Sequence, residues 1–272
     1  MTTPVRSHLV DRRRDGAWSR VSDAVAAEEP LEIRVAGDTV AITMRTPGHD
    51  RELALGFLFA EGIVRSLADV SSVAHCGRTN DEGRENTIEV TPAPGVRIDL
   101  GDDGPFARRG TISSACGVCG RRSIDDLLAR CTPVVDDARV QLDHIVSAVQ
   151  SLRVLQPLFA ETGGCHGAGL FSLDGDPLEV FEDVGRHNAV DKLIGSQLLE
   201  HALPLHSRML VVSGRTSFEI VQKAVVAGIP IIAGVSAASS LAIDVATRAG
   251  VTLVGFVRGE SLVVYTGRER IA

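Results

Sequence analysis

The sequence predicts an α/β protein, α+β overall, with a three-layer α/β C-terminal domain and a smaller α+β N-terminal domain. Three observations carry this expectation. Two helix–Ala-Gly–strand units follow in series, through Ala227-Gly228 into residues 229–233 and through Ala249-Gly250 into residues 251–257. A glycine just past a helix supplies its left-handed terminator, and serial repetition of the unit calls for parallel strands with right-handed crossovers. A hairpin precedes them: a glycine-dense approach to a strand over residues 161–171, a turn at Asp174-Gly175-Asp176-Pro177, and a second strand over residues 178–184. The first half instead holds short alternating strands around one strongly apolar helix.

Taken in order, residues 1–28 are arginine-rich with no clear period and read as a weakly ordered arm that Trp18 pins to the body. Residues 31–35 and 40–44 alternate apolar and polar about Ala36-Gly37-Asp38, a hairpin. Thr46-Pro47-Gly48 breaks the pattern. Leu53, Leu55, Phe57, Leu58 and Phe59 then form a helix that ends near Gly62. Residues 70–76, 87–90 and 96–100 read as strands, and 101–110 as loop. Ile124, Leu127, Leu128 and Cys131 recur at helical spacing, and residues 132–137 look like a linker. The boundary is placed near residue 140, giving domains 1–139 and 140–272. Residues 142–155 suit a helix terminated by Pro157. Val190, Leu193, Ile194, Leu198 and Leu199 mark another. Residues 209–212 are a buried strand, and Thr216 with Glu219 forms a capping box for the next helix. Residues 239–249 form the last helix and 262–265 an edge strand.

Composition narrows the function classes. A chain of 272 residues with formal charge −7 lacks the basic balance of a nucleic-acid binder. Its five cysteines are an odd number and fit reduced thiols in the cytoplasm rather than a secreted disulfide scaffold. The first 15 residues contain no apolar signal region, and the most apolar run, 228–235, is too short to span a bilayer. A soluble, cytoplasmic protein without membrane attachment is expected.

Chemistry concentrates in Cys116-Gly117-Val118-Cys119-Gly120, flanked by Arg108, Arg109, Arg121 and Arg122 and followed by the Ser123–Asp126 capping pattern. A thiol near a helix N-terminus and several guanidiniums ionises more readily than a free thiol, and the thiolate is the nucleophile and the metal ligand. The pair alone fits half a zinc site, a redox disulfide, cluster ligands or a sulfur relay. A zinc site needs two more ligands, for which Cys76, Cys131, Cys165 and His166 are candidates, but there is no second CxxC. Cys131 and Cys76 read as small core residues.

In an open α/β sheet, ligands bind beyond the C-terminal ends of the strands, where helix N-termini face anions. Three loops hold that position. Ser213-Gly214-Arg215-Thr216 offers hydroxyls, a glycine and a guanidinium; Ser236-Ala237-Ala238-Ser239 offers hydroxyls; Phe256-Val257-Arg258-Gly259-Glu260-Ser261 offers an arginine and a glycine. Together they suggest a phosphate-bearing ligand. His166 and His187 sit in glycine-flanked turns and join the candidates. His166-Gly167-Ala168 has alanine where a zinc deaminase needs its glutamate, so deaminase catalysis is not expected.

Several stretches together resemble the FdhD/NarQ family: Cys116–Gly120, Thr162-Gly163-Gly164-Cys165-His166, Glu182-Asp183-Val184-Gly185-Arg186-His187-Asn188-Ala189-Val190-Asp191-Lys192-Leu193, Val221-Gln222-Lys223-Ala224, Val235-Ser236-Ala237-Ala238 and Leu253-Val254-Gly255-Phe256-Val257-Arg258. The resemblance runs from about residue 30 to the C-terminus. It implies a sulfur carrier, a sulfurtransferase needed for formate dehydrogenase activity. Such a protein takes sulfur as a persulfide from a cysteine desulfurase and passes it to the molybdenum of the bis-molybdopterin guanine dinucleotide cofactor, held as bound substrate, before insertion into the formate dehydrogenase apoenzyme. It further implies a cytidine-deaminase-like C-terminal domain with no protein-ligated metal, and a homodimer. By position, Cys116 matches the persulfide cysteine, Cys119 its partner, and Phe256, Val257, Arg258, Gly259, Glu260 and Ser261 the cofactor segment. Gly167 stands where the family often has alanine, and Glu260 puts an acid in a segment expected to meet an anion. A cofactor- or metal-binding chaperone that uses the CxxC as ligands is the alternative, and a disulfide oxidoreductase a third reading.

Overall fold

The computed structural model describes residues 3–76, 84–98 and 133–272. Cys116, Cys119, the arginines around them and the helix expected through Ile124 and Cys131 lie outside the described residues.

The chain opens with β1 (Val5–Arg14) and β2 (Ala17–Ala26), an antiparallel pair that forms a two-stranded sheet of its own. The expectation of a weakly ordered arm is thus corrected. Asp15 at φ 52° and Gly16 at φ 84° make a two-residue left-handed turn of the type that matches strand twist, and the strands then pair in unbroken register from Arg14–Ala17 to Val5–Ala26. Trp18 does not pin this hairpin to the body; it is 69% exposed.

A four-stranded sheet follows, in the order β4-β3-β6-β5, from β3 (Glu29–Val35), β4 (Asp38–Arg45), β5 (Val70–His75) and β6 (Thr87–Pro92). Ala36 and Gly37, both at positive φ, close the expected β3–β4 hairpin. Helix α1 (Asp50–Ala60) covers the sheet: Leu53, Leu55 and Leu58 pack on Leu31, Ile33, Ile88 and Val90. Each such side chain removed from water contributes about 1.5–3 kcal/mol. Residues 96–98 are not strand, unlike the expectation for 96–100.

The C-terminal body is a six-stranded sheet in the order β12-β11-β10-β9-β7-β8. Its strands are β7 (His166–Ser172), β8 (Pro177–Asp183), β9 (Arg208–Val212), β10 (Ile231–Gly234), β11 (Thr252–Arg258) and β12 (Ser261–Thr266). β9, β10 and β11 are parallel; β7 runs antiparallel to β9, and β12 to β11. Helix α2 (Leu142–Val154) covers one face. Helices α4 (Arg186–Leu199), α5 (Phe218–Val226) and α6 (Ser240–Ala249) cover the other. The side-chain period of two divides β9 between them: Met209 and Val211 meet the α2 layer, Leu210 and Val212 the α4–α6 layer. The three-layer α/β reading therefore holds.

Three local expectations differ. Pro157 does not merely end a helix; it opens the short helix α3 (Pro157–Thr162), where its missing N–H costs nothing. Ser217, not Thr216, is the N-cap of α5, and no side chain caps it. The segment before residue 140 already belongs to the C-terminal body: Val134 N donates to Ala249 O, Val140 bridges Ile271, and Val134, Ala138 and Val140 are buried in its cores.

The two halves meet where α1 crosses α4. Gly56 and Gly195 let the backbones touch: a Cβ on Gly195 would lie 1.8 Å from Glu52 O, and one on Gly56 1.9 Å from Asp191 O. With α1 on one side and the sheet on the other, α4 is buried from His187 to Leu198. Among the described residues, no helix is long and apolar enough to cross a membrane.

Candidate ligand site at the end of the sheet

The parallel strands β9–β11 end on one edge of the body, and the antiparallel β7 begins there. Ala168 pairs with Val212, and His166 with Asp183 at the end of β8. The topology thus collects His166, Arg186, His187 and the loops after β9, β10 and β11. The loops are tied to each other: Val235 N donates to Val212 O, Ser239 N to Thr216 O and Phe256 N to Ser236 O.

The polar groups divide into those already engaged and those left open. Ser213 is engaged: its N donates to Gly167 O at 3.0 Å, and its hydroxyl accepts from Gly167 N at 2.9 Å. His187 is engaged as well, 8% exposed, with Nε2 3.0 Å from both Ser217 Oγ and Glu219 Oε2. Both sequence candidates therefore shape the site rather than reach into it. Val257 is a core residue. Arg258, Glu260 and Ser261 are exposed at the β11–β12 turn, where Gly259 has φ 56°. Phe256 is 38% exposed at φ 53°, beside the β10 loop. Gly255 explains the close approach, since a Cβ there would lie 2.8 Å from Ser236 O.

Arg186, His166 and Arg215 are the open groups. Arg186 is half-buried, and its Nε is buried without an acceptor among the described residues. A buried donor left unmet costs about 1–3 kcal/mol, so its placement invites an anion. Gly214 carries no side chain beneath it; a Cβ there would be 3.6 Å from Arg186 Cδ and 3.3 Å from His166 Nδ1. Burial, then the charges of Arg186 and His187, push the His166 imidazole below its usual range, so it stays neutral at physiological pH. Arg215 is exposed. Helices α4 and α5 both start at this end with caps that make no side-chain hydrogen bond. Their first-turn amides add positive potential. This donor set suits a phosphate-rich anion. The sequence reading missed Arg186 as a site residue, although its place directly after the Gly185 N-cap was visible.

Behind this edge lies a junction in which every charge is met. Asp183 is fully buried. It accepts from Thr46 N (3.1 Å), Gly185 N (2.8 Å) and Asn188 Nδ2 (3.0 Å), and pairs with Lys192 Nζ at 2.8 Å. Lys192 also donates to Thr46 O, and Asn188 to Met44 O. Deeper still, Lys223 pairs with Asp191 at 2.6 Å, yet burial pushes the Asp191 carboxyl up to about 6. Cys165 is buried with Sγ 3.9 Å from Thr46 Oγ1, and burial raises its thiol. Cys76 is half-buried. Among the described residues, no three His, Cys, Asp or Glu side chains converge as a metal site.

A separate cleft of about 790 Å³ lies between the halves, walled by Pro47, Leu158 and Phe181 and floored by Asp50, His75 and Glu182. There Arg45 forks onto Asp50, at 2.9 and 3.0 Å, and His75 Nε2 lies 3.3 Å from the same carboxylate.

The comparisons with known proteins fit this geometry. A sequence model of the FdhD/NarQ family matches residues 26–272. The chain belongs to that family. Curated family members named sulfur carrier protein FdhD include that of Anaeromyxobacter dehalogenans strain 2CP-1, 52% identical over 257 residues, or 92% of this chain and 89% of that one. The Streptomyces coelicolor protein is 48% identical over 268 residues, covering 97% and 94%. The Mycobacterium tuberculosis protein is 48% identical over 256 residues, covering 92% of each. A crystal structure provisionally described as a formate dehydrogenase accessory protein of Desulfotalea psychrophila superposes with TM-score 0.77 at 27% identity, covering 98% of this chain and 99% of that one. The stretch from Glu182 to Leu193 that carries the family resemblance now divides in two: Asp183, Asn188, Asp191 and Lys192 build the junction, while Arg186 faces the site.

Proposed function

We propose that this protein is a sulfur carrier that acts in formate dehydrogenase maturation, a sulfurtransferase that delivers sulfur to the molybdenum of a bis-molybdopterin guanine dinucleotide cofactor. The observation that carries the reading is the sheet end itself. Two helix N-termini, the Arg186 Nε that has no acceptor among the described residues and the neutral His166 converge there on a space suited to phosphate groups, in a chain about half identical to proteins named sulfur carriers.

The chemistry assigned to the thiols balances. Cys116 thiolate attacks the outer sulfur of a cysteine desulfurase persulfide. The sulfur–sulfur bond breaks, the donor leaves as its thiolate, and Cys116 carries the persulfide. Cys119 thiolate then attacks the inner sulfur of Cys116. This forms a Cys116–Cys119 disulfide and expels sulfide toward the metal, and a dithiol reductant restores the pair. On this reading the sheet end holds the cofactor's phosphates, and the chain's role there is to bind and orient. Arg186 pairs with a phosphate, and His166, uncharged, donates or accepts one hydrogen bond. Phe256 offers an apolar edge beside the loop after β10.

Incubation with a cysteine desulfurase and cysteine, followed by peptide mass spectrometry, tests the proposal. The expected result is the mass of one added sulfur atom on Cys116, absent in Cys116→Ala. If the wild-type thiol gains no sulfur, or if Cys116→Ala fully restores formate dehydrogenase in cells lacking this protein, the role is excluded.

A further inference from the structure

Helices α5 and α6 begin alike and are finished differently. Each starts at a serine in extended backbone, Ser217 at φ −83° and ψ 169°, Ser239 at φ −87° and ψ 159°. Serine in that position ordinarily turns its hydroxyl back onto the second or third amide of the helix. Ser239 does so, accepting from Ala242 N at 3.3 Å. Ser217 does not, and α5 has no side-chain cap. The first backbone bond of α5 runs from Val221 N to Ser217 O, so the N–H groups of Phe218, Glu219 and Ile220 have no intrahelical acceptor.

His187 accounts for the difference. It is the second residue of α4, 8% exposed, and its Nε2 lies 3.0 Å from Ser217 Oγ and 3.0 Å from Glu219 Oε2. A ring nitrogen that close to a carboxylate carries the proton, which the two oxygens share. One side chain thus draws aside both groups of the α5 start that would oppose an anion there. The hydroxyl would compete with the anion for the Ile220 amide, and the carboxylate would repel it.

Two groups beside this helix start point to a ligand. The Thr216 hydroxyl, on a residue 1% exposed, has no partner among the described residues. It lies over the end of β10, where a Cβ on Gly234 would be 2.6 Å from it and 3.7 Å from both Gly214 O and Ser236 O. It is therefore set between the loops after β9 and β10. Arg186 Nε, on the residue before His187, is the other group, again with no acceptor among the described residues.

We propose that His187 is a positioning residue of the sheet-end site: it holds the Ser217 hydroxyl and the Glu219 carboxylate off the start of α5, and so keeps the amides there for a phosphate group. This role rests on the reading of the sheet end as a phosphate site and adds the side chain that keeps the site open. His187 itself touches no ligand. Once it is removed, Ser217 is free to cap α5 as Ser239 caps α6, and a ligand must displace the hydroxyl.

Calorimetric titration of the full chain with guanosine diphosphate, and separately with inorganic phosphate, tests this. His187→Ala should bind both about tenfold more weakly, the share of one charge-assisted contact. Adding Ser217→Ala to His187→Ala should restore affinity by about threefold or more, because the competing hydroxyl is gone. A His187 that served only to pack would give the opposite order, the second substitution adding to the damage of the first. Because His187 is buried, hydrogen exchange of the wild type supplies a readout that needs no substitution. Guanosine diphosphate at about ten times its dissociation constant should slow exchange of the Ile220 amide about tenfold and leave that of Ala242, already capped, unchanged. A wild type that binds neither probe overturns both this role and the phosphate site. Wild-type binding without protection of Ile220, an undiminished affinity in His187→Ala, a double variant no tighter than the single one, or a loss confined to guanosine diphosphate overturns the role of His187 alone.

Discussion

Two regions that share helix α4 treat polar groups in opposite ways. At the junction, Asp183 has four partners, and Lys192 and Asn188 reach across to the backbone of Met44 and Thr46. Three residues from Asp183, at the sheet end, Arg186 keeps a buried Nε with none among the described residues. Both arrangements come from one run of sequence, so the motif cannot be read as a list of site residues. Residues that meet one another hold the halves together; the residue whose hydrogen bond is unmet is the one placed to meet a ligand. A polar group buried without a partner is costly, and a fold keeps it where a ligand supplies the partner.

The most severe way to break this contrast is at the junction. Lys192→Met keeps the stem volume but leaves Asp183 buried without its cation. A stability loss of about 3–5 kcal/mol in urea unfolding is expected. A loss no larger than that of a surface substitution would show that the junction does not hold the halves together. Gly195→Ala comes next. The added methyl group would overlap Glu52 O, so α1 and α4 must separate, at about 3 kcal/mol. Unchanged thermal unfolding of this variant would mean that the helices cross elsewhere.

Arg186→Gln sharpens the contrast from the other side. Removing a group with no acceptor at Nε among the described residues should leave stability within about 0.5 kcal/mol. Calorimetric titration with guanosine diphosphate, a fragment of the proposed cargo, should show affinity about tenfold weaker, the share of one charge-assisted contact. Lost stability with undiminished binding would reverse the assignment and make Arg186 structural.

Much of the fold was legible because it rests on local rules. Alternation and a left-handed turn fixed the β3–β4 hairpin, and glycine after a helix fixed each crossover into β10 and β11. The hairpin at the N-terminus was not, because its ten-residue strands are exposed along most of their length and carry no apolar period that burial would impose. The helix crossing was also hidden: nothing in Gly56 or Gly195 alone says that each faces the other, because packing across 139 residues of sequence is not a local signal. At the site, turn chemistry located the loops after β9, β10 and β11, but could not tell that Ser213 and His187 spend their hydrogen bonds on neighbours. That depends on the β7 partner strand and on Glu219, which only the folded topology brings near.

The weakest expected effect concerns the cleft between the halves, where an intermediate case exists. Burial alone would raise the Asp50 carboxyl, but the hydrogen bond from His75 and the Arg45 guanidinium outweigh it and hold the group below its ordinary value. Reciprocally, the hydrogen bond to Asp50 raises the His75 imidazole, with Thr87 O near its other nitrogen. A group whose folded value is raised stabilises the fold fully below its unfolded value, about 6.5, and loses that contribution as pH rises through the folded value. Asp191, pushed up to about 6 by burial, and His166, pushed down by burial, add their own pH dependence, so the wild type alone would blend these effects. The difference in unfolding free energy between wild type and His75→Ala isolates one of them. That difference should be largest near about pH 5.5 and shrink toward about pH 8.5, by less than about 1 kcal/mol because His75 is a third exposed. A difference that stays flat or widens with rising pH would mean that Arg45 alone satisfies Asp50, and that His75 belongs with the open groups rather than with the junction.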